Sequence, residues 1–265
     1  MSSKESIYPL FSSSKGNSYF FGTPECGLLV DCGKSYTQIK KALAARKIPF
    51  SAVGGILITH THTDHTAGLR VTYDRERLTV YGQRETIRRL PPTVLKTVCV
   101  GRGLFEIENA GGITAEAIPT SHDCVGSCGY KLTFPTGKTA AIVTDLGKTD
   151  KDVEEAVAGV YTVVLESNYD PDMLRDCPYD YSTKARIASN RGHLSNEASA
   201  HFAAKIIKNG TKQLVLAHLS ENSNTPETAQ NTCLTILEKE YGLMRGRDFL
   251  LSVLDPVCSE ESFVL

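Results

Sequence analysis

Apolar residues along the chain fall into short, nearly continuous runs and longer stretches of helical spacing. "SIYPLF", "SYFFG" and "CGLLVDCG" open the chain as strand-like runs bounded by glycine, proline and serine. From about 35 to 46, Ile39, Ala42 and Leu43 recur on one helical face. "VGGILITH" is a continuous apolar strand that ends on His60, and further strands are predicted at 78–81, 113–118, 130–134 and 139–143. The second half alternates more regularly: a helix over 151–158, the strand "TVVLE", helices up to about 209, and the strand "QLVLAH". Ser195 is placed to cap a helix carrying Ala200, Ala203, Ile206 and Ile207 on one stripe and ending near Gly210. A last helix starts at Thr225-Pro226, an N-cap followed by proline at the first helical position, and "DFLLSVL" supplies a final strand. Strands in both halves with helices between them predict α/β layers around one core, a single domain over residues 1–265.

Composition narrows the partners only a little. Charge is balanced, 29 Lys and Arg against 30 Asp and Glu, so nothing points to wholesale coating of nucleic acid, although a local basic patch remains open. The start has no apolar signal segment and no run approaches the length of a membrane span, which reads as a cytoplasmic protein with no membrane partner. The eight cysteines form no paired C-x2-C set and read as reduced thiols. Cys124 and Cys128, a C-x3-C beside His122, read as a coincidence of spacing.

The chemistry is concentrated in "ILITHTHTDHTAG". His60, His62, Asp64 and His65 follow directly on an apolar strand. Side chains two apart on an extended chain point the same way, so His60 and His62 can converge on one ion. As the chain curls into a helix start, Asp64 and His65 can face a second. Imidazole and carboxylate suit zinc, manganese or iron. One loop cannot close two coordination spheres, and other strand ends supply the same residue types: His122 after "TAEAIPTS", Asp145 after "TAAIVT", His218 after "QLVLA".

This order of residues resembles the metallo-β-lactamase superfamily. The resemblance implies a four-layer αββα sandwich with a two-metal site at one edge. His60, His62 and His122 would hold one metal, Asp64, His65 and His218 the other, and Asp145 would bridge them. Asp31 in "LLVDCG" would support the histidine loop without being a ligand. "LFSSSKGNSYFF", "LESNYDPDML", "RGHLSNE" and "LAHLSENSNTPE" are similar to the YycJ/WalJ group of exonucleases within the superfamily. That resemblance implies 5′-to-3′ action on DNA, a zinc- or manganese-dependent reaction and a link to DNA repair. The stretch between Asp145 and His218 is too short for the inserted domain of related RNA-processing nucleases. Ser13 stands where relatives carry glycine, and "CVGSCGY" lacks an expected proline; neither position is a ligand.

His193, in "NRGHLSNEASA", is left over by the coordination scheme. On spacing alone it is a histidine bonded locally at a helix cap; with the resemblance it becomes the group that contacts the scissile phosphate or protonates the leaving oxygen. Lys184, Arg186, Arg191 and Ser195 lie around it, and a helix N-terminus suits a phosphate. Ser14, Lys15 and Asn17 in the first loop are further substrate-binding candidates through the resemblance. Asp64, beside its metal role, would orient the attacking water. His201 reads as a half-exposed helix residue. Two rival functions stand: a small-molecule (nucleotide) phosphodiesterase or other hydrolase of the same fold, and a non-catalytic DNA-binding protein with structural metals.

Overall fold

The structure is a computed structural model, and it describes residues 4–255 and 262–265. The first half runs β1 (Ser6–Ser13), β2 (Gly16–Thr23), β3 (Cys26–Val30), α1 (Tyr36–Ala45), β4 (Val53–Ile58), α2 (Thr63–Thr66), α3 (Leu69–Glu76), β5 (Thr79–Gln83), α4 (Arg84–Ile87) and β6 (Thr97–Val100). The second runs β7 (Phe105–Glu106), β8 (Thr114–Pro119), β9 (Cys128–Thr133), β10 (Thr139–Val143), α5 (Lys151–Val157), β11 (Thr162–Glu166), α6 (Pro171–Asp176), α7 (Tyr181–Ile187), α8 (Asn196–Lys208), β12 (Gln213–Ala217), α9 (Pro226–Tyr241), β13 (Leu250–Val253) and β14 (Phe263–Val264).

Among the described residues the strands form two mixed sheets of seven, ordered β14-β1-β2-β3-β4-β5-β6 and β13-β12-β11-β10-β9-β8-β7. In each sheet one half is antiparallel and the other parallel. β3 to β6 run parallel in the first, and β10 to β13 in the second. The continuous apolar runs of β3, β4, β10, β11 and β12 lie in the parallel halves, where both faces are covered and there is no reason to alternate. β11, with every residue buried, lies between β10 and β12 with Val164 opposite Ile142 and Val215.

The sheets face each other across a core that draws Tyr19, Phe21 and Leu57 from one and Tyr130, Ile142 and Val215 from the other. The outer face of the first sheet packs on α1 and α3 through Ile39, Leu43 and Leu69. The outer face of the second packs on α5, α8 and α9 through Val153, Phe202 and Leu237. The result is the expected four-layer αββα sandwich. Ser195 caps α8, its hydroxyl accepting from the Ala198 N–H, and Thr225 caps α9 with Pro226 at its first position.

The short elements α3, α4, β6 and β7 carry no pattern that predicts them. In α3 only Leu69, Thr72 and Tyr73 are buried, among arginines, aspartate and glutamate, so the sequence shows too narrow a stripe. Parallel strands bring their carboxyl ends to one edge of a sheet, where open α/β sheets bind their ligands. Asp31, His60, Asp145, Glu166 and His218 all stand at such ends. Asp31, Asp145 and His218 have φ of 62°, 57° and 57°, the left-handed region. Each costs about 1–2 kcal/mol relative to the ordinary conformation, which the surrounding bonds must hold in place.

Candidate metal centre

The loop after β4 and the ends of β8, β10, β11 and β12 close on one point. His62 Nδ1 lies 3.3 Å from His122 Nε2, and with His60 these rings form one cluster of potential ligands. Asp64, His65 and His218 form a second, with Asp64 Oδ2 3.4 Å from His65 Nε2 and 3.8 Å from His218 Nε2. Asp145 lies between the two: Oδ1 is 3.6 Å from His122 Nε2 and 4.0 Å from His60 Nε2, and Oδ2 is 3.3 Å from His65 Nε2. The seven residues singled out as ligands are thus brought together.

Each of four imidazoles is tethered by its outer nitrogen. His65 Nδ1 is 2.7 Å from Asp31 Oδ2 and His218 Nδ1 is 2.8 Å from Glu166 Oε1. His122 Nδ1 donates to the Gly192 carbonyl at 3.0 Å, and His60 Nδ1 meets the Thr59 hydroxyl at 3.0 Å. That pattern fixes each ring and leaves Nε2 facing inward, as in metal sites whose ligating histidines donate outward. His60 Nε2, His218 Nε2 and Asp145 Oδ2 are buried with no hydrogen-bond partner. Orphaned buried nitrogens and a carboxylate oxygen converging on one point fit a cation, which would take up lone pairs that no protein donor meets. The His/Asp clusters are therefore able to bind metal ions.

Asp31 acts from below, as expected: it accepts the Thr59 N–H at 2.9 Å, the Thr59 hydroxyl at 2.8 Å and the His65 ring. Charge splits the histidines into two groups. Burial, with His65 and other rings nearby, drives His60 well below its ordinary value, and burial likewise lowers His122. For His218 burial acts downward too, but Asp145, Asp64 and Glu166 outweigh it and raise the ring to about 10. Asp145 goes well below the carboxylate range, because His218, His65, His60 and His122 outweigh its burial. Without metal, the Asp64–His65–His218 side holds protons that a cation would displace.

Two carboxylates at the centre escape sequence reasoning. Glu166 is fully buried and accepts five hydrogen bonds: Asp145 N, His193 Nδ1 and His218 Nδ1 on Oε1, Leu146 N and Leu194 N on Oε2. Burial opposes its ionisation, but His193 and His218 hold it down at about 2. Its signal was present, a carboxylate ending the strand "TVVLE", the same pattern that pointed to Asp145. Asp123 Oδ1 lies 3.2 Å from His122 Nε2 and 3.5 Å from His62 Nε2, while Oδ2 pairs with Arg186 at 2.9 Å.

His193 sits where its Nδ1 donates to Glu166 Oε1 at 2.8 Å, with 3.9 Å to Asp145 Oδ1. Asp145, Glu166, His193 and His218 lie close enough to hold an ion. Glu166, however, already has both oxygens filled by N–H donors, so this cluster is a hydrogen-bonded support. His193 Nε2 is left for a cavity of about 260 Å³, which His62, Asp64, Asp145, Asn168, Arg186 and His218 also line. Ser14 lines it as well. Asn17 lies underneath, its amide donating to the Ser13 carbonyl at 3.0 Å and to Asp64 Oδ2 at 3.2 Å. Lys15 is paired with Glu221, and the Arg191 guanidinium donates to the His122 carbonyl at 3.3 Å. Lys184 and Ser195 do not line this cavity; they belong to a neighbouring one. Cys124 and Cys128 are both free thiols with different partners, Thr61 Oγ1 and the Thr59 carbonyl. His201 is half-exposed beside Tyr241, as expected.

A four-layer sandwich with a histidine–carboxylate centre at its edge defines the metallo-β-lactamase superfamily. The Beta-lactamase superfamily domain matches residues 27–219 of this chain. The chain is 33% identical over 250 residues to exodeoxyribonuclease YycJ of Bacillus anthracis, covering 93% of this chain and 94% of that one. To exodeoxyribonuclease WalJ of Streptococcus pneumoniae serotype 2 (strain D39) it is 31% identical over 246 residues, covering 91% and 90%. The crystal structure of Zn(2+)-bound PqqB from Methylobacterium extorquens has the same fold, with a TM-score of 0.70 at 13% identity over 98% of this chain and all of that one. The chain belongs to the metallo-β-lactamase superfamily, and within it to the group of the YycJ and WalJ exodeoxyribonucleases.

No helix of the described residues is long and apolar enough to cross a membrane.

Proposed function

We propose that the protein is a two-metal phosphodiesterase, a 5′-to-3′ exodeoxyribonuclease with a role in DNA repair, built as one domain over residues 1–265. The observation that carries this reading is the set of four outward-tethered imidazoles whose inner nitrogens meet Asp145 beside an open cavity. Kinship with YycJ and WalJ, both named exodeoxyribonucleases, supports DNA as the substrate. His60, His62 and His122 would hold one divalent ion, Asp64, His65 and His218 the other, and Asp145 would bridge. Zinc, manganese or iron suits these ligands. Two such ions, when bound, lower the pKa of water and neutralise charge on the attacking and leaving oxygens.

The chain's own residues do the rest. Asp64, at the cavity wall, accepts a hydrogen bond from the attacking water and orients it. Glu166 holds His193 by its Nδ1–H, so that the doubly protonated ring presents its Nε2–H to the departing oxygen and is left neutral after the transfer, a step typically worth about 10²–10⁴ in rate. Arg186 reaches the same cavity from α7 and offers a guanidinium to a non-bridging phosphate oxygen.

The test is digestion of 5′- and 3′-labelled single- and double-stranded DNA and RNA, with zinc and manganese compared. Stepwise release from the 5′ end of DNA supports the reading. Turnover of a mononucleotide diester with long strands left intact favours a small-molecule phosphodiesterase. Intact substrates throughout, with stoichiometric metal bound, favour a non-catalytic binding protein.

A further inference from the structure

Across α7 from the metal cavity lies a second cavity of about 550 Å³, walled by Tyr169, Leu174, Arg175, Tyr181, Lys184 and Ala188. Three stretches of chain present neighbouring residues to the two cavities. Asn168 lines the first and Tyr169 the second; Thr183, Arg186 and Ile187 of α7 line the first, and Tyr181, Lys184 and Ala188 the second; His193 lines the first and Ser195 the second. Helical spacing accounts for the division along α7, because 181, 184 and 188 share one face and 183 and 187 another. The cavities are therefore adjoining rooms with α7 as their wall, and the metal centre opens on only one.

The second room is aromatic and basic where the first is rich in metal-binding groups. Tyr181 is 87% exposed, the most exposed of the large hydrophobic side chains among the described residues. Tyr169 packs with Leu174 and Ile187 beneath it. Lys184 Nζ donates to the Arg175 carbonyl at 2.6 Å and, with three N–H groups, keeps donors for an incoming acceptor. Arg175 itself is tied to Asp172 and Asp176 and adds no free charge. An exposed ring over an apolar floor with a cation at the rim is the combination that binds single-stranded nucleic acid, whose bases stack on aromatic side chains while its backbone meets cations.

We propose that this cavity is a nucleobase subsite. It takes the base of a nucleotide adjoining the linkage in the metal cavity, stacked on Tyr181 over the Tyr169–Leu174 floor, with Lys184 toward the sugar–phosphate backbone. The assignment deepens the phosphodiesterase reading and rests on it. Stacking uses the face of a base, so purines and pyrimidines are accepted alike.

The test uses the full chain with manganese and the variants Tyr181→Ala, Tyr181→Phe and Ala188→Trp, the last filling the cavity from an exposed position. Nuclease-resistant phosphorothioate oligonucleotides carry 2-aminopurine at successive positions from the end. One position close to the end is expected to be quenched by the parent and by Tyr181→Phe, and not by Tyr181→Ala or Ala188→Trp. Base stacking is worth about 1–3 kcal/mol, so KM for a cleavable oligonucleotide should rise about 5- to 150-fold in the last two variants. Turnover of bis(p-nitrophenyl) phosphate, which carries no nucleobase and no sugar–phosphate backbone, should not change. An abasic nucleotide at the quenched position should raise the parent's KM by the same factor and leave Tyr181→Ala unaffected. The proposal is overturned if no position responds to the variants, if both leave the oligonucleotide KM where it was, or if Tyr181→Ala slows both substrates in parallel. If the parent hydrolyses neither bis(p-nitrophenyl) phosphate nor the cleavable oligonucleotide, the phosphodiesterase reading falls, and the fluorescence, which needs no turnover, still decides the subsite.

Discussion

Replacing Glu166 with glutamine changes one atom where five hydrogen bonds meet. The carboxylate takes Asp145 N, His193 Nδ1 and His218 Nδ1 on one oxygen, and Leu146 N and Leu194 N on the other. An amide has one acceptor oxygen, so its nitrogen must face either two donors or three. The less costly orientation keeps the oxygen toward the histidines and leaves the Leu146 and Leu194 N–H groups unpaired. Each buried orphan costs about 1–3 kcal/mol, which makes roughly 2–6 kcal/mol in all. At about 2–4 °C per kcal/mol for a domain of this size, Glu166→Gln should lower Tm by roughly 4–24 °C. The two histidine bonds also change from charge-assisted to neutral, at about half the strength. His193 then loses its fixed orientation, and turnover of a phosphodiester should fall toward the level of His193→Ala. Weakened support of His218 should also loosen metal binding about 10- to 100-fold. Calorimetry, metal titration and steady-state kinetics read the three effects separately. A Glu166→Gln protein that melts within about 2 °C of the parent and turns over at the parent rate would refute the reasoning.

His193→Ala should keep the parent's metal content, because the ring's bonded nitrogen serves Glu166, and lose about 10²–10⁴ in turnover; loss of metal in atomic emission would overturn that role. Gly33→Ala should destabilise and disturb Asp64, since an added Cβ would lie 1.7 Å from the Asp64 carbonyl oxygen and 2.4 Å from Asn17 N. Those are backbone atoms that cannot swing aside, and at least the 1–3 kcal/mol of overpacking is expected as a fall in Tm, with none refuting the clash. Burial pushes the thiols of Cys128 and Cys233 up to about 12, so at pH 8 both stay protonated and shielded. Of the described cysteines, exposed Cys99 should be labelled first by iodoacetamide in the folded protein, and early labelling of Cys233 by peptide mapping would contradict the packing.

Much of the centre was legible because its residues follow strong local signals. The run "ILITH" reads as a buried strand from composition alone, and polar residues at the ends of such strands must line an opening. That rule selects His60, Asp145 and His218 before any fold is known, and applied without exception it selects Glu166 too. Asp123 was out of reach, because its closeness to His62 comes from a turn after β8 that no periodicity encodes. Lys184 and Arg186 show the same limit within one helix. Both looked like phosphate contacts, but the phase of α7 turns Arg186 toward the metal cavity and Lys184 into the other room.

By itself, the sequence determined the layered α/β class, the strand ends and helix caps, the ligand types and the kinship to a superfamily. Those are set by spacing of 2 and 3.6 residues, by capping chemistry and by residue type, all of which act between near neighbours in the chain. Only the tertiary structure decided what each ligand leans on. Asp31 under His65, Gly192 behind His122 and Glu166 joining His193 to His218 are pairings across 34, 70, 27 and 52 positions. They exist because closing the two sheets on one core brings separate strand ends to one edge, where a buried carboxylate is stable only once donors from distant segments have filled it.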